Sequence, residues 1–177
     1  MAQSRMRFCG LLGGLLLLGC NSATGQCAVQ NLLKGDFVNF NQRTDVRKPW
    51  YVEGKVWILR GNAQSDHTTG WNAIHQSVSL LANKPYALTA SVRTSTNMRD
   101  GYLGFRGMGL PNPAQMKFGP LPTSKTVRVT FTPVKAGNYD VFIGYKALDK
   151  DAAIEMGDLR LVSLSGGCDD VVTKPGQ

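Results

Sequence analysis

Only two histidines, His67 and His75, occur in this 177-residue sequence, and neither has the neighbours that catalysis needs. Asp66 precedes His67, but adjacent residues of one loop do not make a nucleophile–base–orienter triad, and no Gly-x-Ser-x-Gly elbow is present. No Cys–His or His-Glu-x-x-His spacing marks a zinc site. A glycosidase needs two carboxylates facing each other across a cleft. The acids are few and mostly turn-placed; Glu53 and Glu155 are the strand-placed pair whose proximity would matter. The inventory points away from an enzyme and toward binding.

The four cysteines fall into distinct settings. Cys9 lies in the apolar run "CGLLGGLLLLG", which follows a basic start carrying Arg5 and Arg7. A positive start and an apolar stretch of this length predict a secretory signal peptide, too short for a permanent membrane span. Leu17-Leu18-Gly19-Cys20 resembles the lipobox of bacterial lipoproteins. The resemblance implies a leader over residues 1–19, cleavage before Cys20, a diacylglycerol on the Cys20 thiol, and a tether over 20–26. An ordinary signal peptide cut after Ala23 is the alternative. Multiple acyl chains anchor firmly, because each buried methylene contributes ~0.8 kcal/mol and a single chain binds only marginally. Asn21 lacks the Asp that resembles an inner-membrane retention signal, so the expected location is a lipid-anchored position on the outer membrane or cell surface.

Cys27 and Cys168 then bracket the remaining chain. In an oxidising compartment such a pair suggests a disulfide, and closing so long a loop contributes ~4–5 kcal/mol in the chain-entropy model. A metal or catalytic thiol is the other reading, and no histidine adjoins either cysteine. One domain, 27–168, is expected between them, with a tail over 169–177. The formal charge of +8 drops by two once Arg5 and Arg7 leave. A basic surface can favour anionic partners. Here the basic residues are scattered, and no run forms a nucleic-acid arm.

The elements that must position any site are short and alternating. "WYVEGKVWILR", "GWNAIHQSVSL", "YALTASVRTS", "GYLGFRG", "KTVRVTFTP", "YDVFIGYKAL" and "AIEMGDLRLVSL" read as strands, and the earlier "VQNLLKGDF" reads likewise. They are separated by "TTG", "ANKP", "NMRDG" and "KAGN". That punctuation predicts an antiparallel all-β sandwich or barrel. In 86–94, Tyr86, Leu88, Ala90 and Val92 share one face, while Thr89, Ser91 and Arg93 share the other. In 125–131, Val127, Val129 and Phe131 oppose Thr126, Arg128 and Thr130. Each strand therefore has a core face and a wetted face, as two packed sheets require. The Gly-, Pro- and Met-rich stretch 106–122 reads as a long irregular connection or a groove rim.

Several stretches together resemble a carbohydrate-binding module of the galactose-binding-like, jelly-roll type. They are "NLLKGDFVNF", Trp50 with Gly54, "IHQSVSLLANKPYALTASVR", "KTVRVTFTP" with "GNYDVFIGY", and "IEMGDLRLVSL". The resemblance covers Asn31 to Leu164 and implies a jelly-roll β-sandwich of two antiparallel sheets. It also implies a glycan partner and a structural calcium with Asp158 among its ligands. Val38 stands where that family often has Glu, which weakens the calcium site. Fold alone does not fix a ligand.

Sugars present apolar C–H faces and many hydroxyls, so their binders combine aromatic rings with Arg, amide and carboxylate groups. The candidates here are Trp50, Tyr51, Trp57, Trp71, Gln76, Arg93, Tyr102, Arg106 and Tyr145. Arg93 leads, because it projects from the polar face of a clearly alternating strand. Gln76 shares the register of Ile74, Val78 and Leu80, so it needs either a buried partner or a cleft. Trp71 follows "TTG" and could be a stacking platform, whereas Trp57, between Val56 and Ile58, suits a core. The expectation is non-catalytic glycan binding by an envelope lipoprotein. The alternative is an envelope lipoprotein that uses the same scaffold to bind a protein.

Overall fold

The computed structural model describes residues 30–35, 37, 41–66 and 68–165. The leader, the tether, Cys20, the Cys27–Cys168 pairing, the tail, Asp36, Val38 and His67 lie outside the described residues. Eleven strands are found among the described residues and no helix. They are β1 (Thr44–Asp45), β2 (Tyr51–Glu53), β3 (Trp57–Leu59), β4 (Asn62–Ser65), β5 (Gly70–Leu80) and β6 (Tyr86–Thr94). The rest are β7 (Met98–Arg106), β8 (Ala114–Phe118), β9 (Lys125–Phe131), β10 (Gly137–Ala147) and β11 (Ile154–Ser163).

All ladders are antiparallel and form two sheets. One has six strands in the order β1-β3-β4-β11-β6-β9, the other five in the order β2-β5-β10-β7-β8. This is the expected all-β jelly-roll sandwich. The core fills from both inner faces. Ile58, Ala63, Val92, Met156 and Leu161 come from the six-stranded sheet; Ile74, Leu103, Phe105 and Ile143 come from the five-stranded one. Alternation decides these assignments, since successive side chains point to opposite faces of a sheet.

The run 50–60 breaks into two strands in different sheets. Gly54 turns the chain with φ +75°, and a Cβ there would strike the Trp71 carbonyl and the Asn72 amide. Asn72 is buried and uses its Oδ1 to accept from Lys55 N–H at 2.8 Å, which fixes the crossing. The segment 30–35 forms no ladder. It is tied down by Leu32 N–H to the Leu161 carbonyl at 2.8 Å and by Asn31 Oδ1 accepting from Leu161 N–H at 2.9 Å. Within 106–122, expected to be irregular, Ala114–Phe118 pairs with β7 as the sheet edge.

Candidate functional site

The outer face of the five-stranded sheet collects the chemically useful side chains. Across its strands one ladder row reads Glu53, Ala73, Gly144, Tyr102, Lys117. The next reads Tyr51, His75, Phe142, Gly104, Gln115. Trp71 lies beside Lys146 in the ladder and leans over Gly144, where a Cβ would come within 2.8 Å of its Cζ2. The small residues Ala73 and Gly144 thus let the indole lie against the sheet. Its ring centroid is 6.0 Å from Tyr102 and 6.4 Å from Phe142. Tyr51, half exposed, stacks on His75 at 5.4 Å.

Polar groups lock these rings in place. Glu53 Oε2 accepts from Trp71 Nε1–H at 2.6 Å, and Glu53 Oε1 pairs with the Arg106 guanidinium. Arg106 also reaches Asp140, with Nε 3.8 Å from Oδ2, and stands over the Phe142 ring. His75 sits between the two acids, 3.8 Å from Glu53 and 3.6 Å from Asp140. The Arg106 hydrogen bond holds the Glu53 carboxyl below its ordinary value of 4.5; partial burial opposes this, and the Trp71 bond assists. Farther along the face, Lys117 donates to Asp100 at 2.8 Å, which raises the lysine. The result is a pre-organised surface of aromatic rings edged by bidentate-capable charged groups. Such a surface stacks on apolar faces and hydrogen-bonds hydroxyls.

Of the sequence-derived candidates, Trp71, Tyr102, Tyr51 and Arg106 meet on this face. Three others require correction. Trp50 is buried against Phe37, with centroids 5.6 Å apart, and its Nε1–H goes to the Gly35 carbonyl at 2.8 Å. Gln76 faces the core, as its register indicated, and is bonded at both ends of its amide to the backbone of Lys34. It accepts from Lys34 N–H at 2.9 Å and donates to the Lys34 carbonyl at 2.7 Å. Tyr145 alternates with Val141 and Ile143 into the core, where its hydroxyl lies 3.1 Å from Ser65 Oγ. None of the three can touch a ligand on the surface.

Arg93 is exposed but sits on the outer face of the other sheet, on β6, where it pairs with Glu155. It therefore does not share a site with Trp71. Trp57 is buried, yet on that same outer face, because the Arg43 guanidinium covers its ring at 3.8 Å. Glu53 and Glu155 stand on opposite sheets and cannot face each other across a cleft.

Among the described residues no group of three or more His, Cys, Asp or Glu side chains could hold a metal ion. Asp158 lies exposed in the bulge between Gly157 and Arg160, with φ +46°. Beside it, Asn31 Oδ1 already accepts from the N–H groups of Leu33 and Leu161, and its Nδ2–H donates to the Leu159 carbonyl. Calcium takes roughly six to eight oxygens, backbone carbonyls and waters included, and Asp36 lies outside the described residues.

Sequence reasoning missed Phe142, His75 and Asp140 as site residues. The signal was the alternation of β10, which sets Asp140, Phe142 and Gly144 opposite Val141, Ile143 and Tyr145, and of β5, which sets Trp71, Ala73 and His75 opposite Ile74 and Gln76.

No family model matches the sequence, and a search of curated proteins finds no match. Solved structures do share the fold. TmCBM61, solved in complex with β-1,4-galactotriose, aligns with TM-score 0.59 and 15% identity, over 76% of this chain and 99% of that one. The CBM22-1 xylan-binding domain of Xyn10C from Paenibacillus barcinonensis aligns with TM-score 0.51 and 14% identity, over 77% and 96%. An arabinose-bound α-L-arabinofuranosidase, MgGH51, aligns with TM-score 0.60 and 11% identity over 76% of this chain but only 26% of its own. The domain accordingly has the fold of a carbohydrate-binding-module jelly roll.

Proposed function

We propose that this chain binds a polysaccharide without cleaving it, through the outer face of its five-stranded sheet. The observation that carries this is the Trp71–Tyr102 aromatic pair, held on the sheet by the Glu53–Arg106 hydrogen-bonded frame. Rings fixed before the ligand arrives lose little conformational freedom on binding, which favours affinity. The shared fold of modules solved with galactotriose or described as xylan-binding supports a glycan as the ligand class. A binding role suits Glu53 better than acid catalysis. A general acid needs a raised pKa, whereas Arg106 holds this carboxyl down.

The lipobox-like Leu17-Leu18-Gly19-Cys20 supports an envelope location, with the domain tethered to a membrane through Cys20 and braced by Cys27–Cys168. The test is a glycan array on the full chain beside Trp71→Ala and Tyr102→Ala. Aromatic anchors of this kind contribute about 2 kcal/mol on truncation, so each variant should lose at least roughly tenfold in affinity with its fold intact. Binding unaffected by both changes would remove the proposed face. Detergent partitioning abolished by Cys20→Ala tests the anchor.

A further inference from the structure

The six-stranded sheet carries a separate feature on its own outer face. There the ladder reads Asp45, Trp57, Gln64, Glu155, Arg93 across β1, β3, β4, β11 and β6. Two depressions of about 490 and 480 Å³ lie against this row and share Arg93, Glu155 and Pro122. Together they make one elongated groove with the Arg93–Glu155 pair at its middle.

The groove is built rather than incidental. Its Pro122 wall is fixed to β6 by Thr94 N–H to the Leu121 carbonyl at 2.7 Å and by Leu121 N–H to Thr94 Oγ1 at 2.6 Å. The far wall is fixed by Ala153 N–H to Ser95 Oγ at 2.8 Å and Ser95 N–H to the Ala153 carbonyl at 3.0 Å. On the floor, Glu155 Oε2 accepts from Arg93 Nε–H at 3.1 Å, and Glu155 Oε1 accepts from Asn62 Nδ2–H at 2.8 Å. Gly157 contributes no side chain, and the Ser91 and Ser124 hydroxyls meet at 2.8 Å along one side. The Arg93 side chain remains 60% exposed while oriented by Glu155.

The lining fixes the ligand chemistry. Arg60 and Arg93 are balanced by Asp66 and Glu155, so the groove has no net charge to attract a polyanion. Guanidinium, carboxylate, amide and hydroxyl groups instead offer alternating donors and acceptors, which match an uncharged chain of hydroxyls. We propose that this groove is a second glycan-binding site, taking a short stretch of neutral oligosaccharide on the sheet opposite the Trp71 face. The ligand class rests on the glycan reading above; the location does not. Two sites back to back let one domain hold two polysaccharide strands, or one looped strand, with the gain in avidity that linkage gives.

The experiment is residue-resolved NMR titration of the isotope-labelled full chain with β-1,4-galactotriose, xylotetraose and cellotetraose. Shifts at Ser91, Arg93 and Gly157 that persist in Trp71→Ala, and that weaken about tenfold in Arg93→Ala, are the expected result. Binding at the Trp71 face should stay within about twofold in Arg93→Ala, since the two faces share no residue. Should Arg93→Ala fold poorly, Ser124→Tyr fills the groove from an exposed position and should block it alone. Shifts confined to the Trp71 face overturn the second site and leave the first standing. Shifts on the Arg93 face alone overturn the first reading and keep this one, and silence on both faces overturns both.

Discussion

Trp71 Nε1 donates to Glu53 Oε2 at 2.6 Å, tying a long inner strand of the five-stranded sheet to its short edge strand β2. The same carboxylate pairs with Arg106 from β7, two strands beyond. One acid thereby sets the position of an aromatic ring and of a guanidinium that come from different ladders. Hydrogen bonds to an ionised partner are the stronger kind, so the frame depends on Glu53 staying charged.

The first prediction follows from that charge. The folded-state pKa of Glu53 lies below its ordinary 4.5, chiefly through Arg106. A depressed acid contributes stability above its unfolded pKa and loses it as the pH falls through the folded value. Glycan affinity should therefore hold from neutrality down through pH 4.5 and decline only as the pH falls through the lower folded value, where protonation releases Arg106 and Trp71. Glu53→Gln should bind weakly at neutral pH and lose that acid limb. Isothermal titration of both proteins across the acid range measures this, and an unchanged acid limb in Glu53→Gln would assign it to another group.

A second prediction concerns Gln76. Its amide satisfies both backbone groups of Lys34 and so fastens the segment 30–35 to β5. Replacing it with alanine removes two part-buried hydrogen bonds to the backbone of Lys34, which costs about 1–2 kcal/mol. Chemical denaturation should show that loss, with glycan affinity at the Trp71 face unchanged. An affinity loss without a stability loss would return Gln76 to the binding surface.

Much of this architecture was written in local alternation. Val92 and Arg93 fall on opposite faces of β6 as their spacing predicts, and Val127 and Arg128 do the same on β9. Strands such as β1, β4 and β8 were illegible because two to five residues cannot establish a period, and pairing partners define them instead. The site was half legible. Aromatic and guanidinium types could be picked out, but which sheet carries each strand is a long-range property. That is why Arg93 and Trp71 were grouped and are in fact on opposite faces. Trp50 and Tyr145 misled for another reason: their polar tips find backbone acceptors, which lets an amphipathic ring be buried.

Tyr145 supplies the third prediction. Burial raises its pKa above 10.0, with the Ser65 hydrogen bond opposing and Asp66 adding to the rise. An acid with a raised folded pKa contributes stability below its unfolded value and loses it as the pH climbs toward the folded one. Phenolate absorbance should thus contain a component from Tyr145 that ionises later in alkali than an ordinary tyrosine. Tyr145→Phe should remove that late step, cost about 1 kcal/mol by leaving the buried Ser65 hydroxyl short of a partner, and spare glycan binding.

The last prediction tests whether the shape of the sheet, beyond its polar frame, makes the platform. A Cβ added at Gly144 would lie 2.5 Å from the Ala73 Cβ, 2.7 Å from the Asn72 carbonyl oxygen and 2.8 Å from Trp71 Cζ2. Two of these neighbours belong to a central ladder, so the sheet must shift locally and the indole must lift. Overpacking of this kind costs about 1–3 kcal/mol. Gly144→Ala should therefore combine modest destabilisation with a loss of glycan affinity close to that of Trp71→Ala, and the double variant should bind no worse than either single one. That non-additivity is the signature of two residues acting through one contact. Full affinity in Gly144→Ala would mean that the indole does not need to lie against the sheet in order to bind.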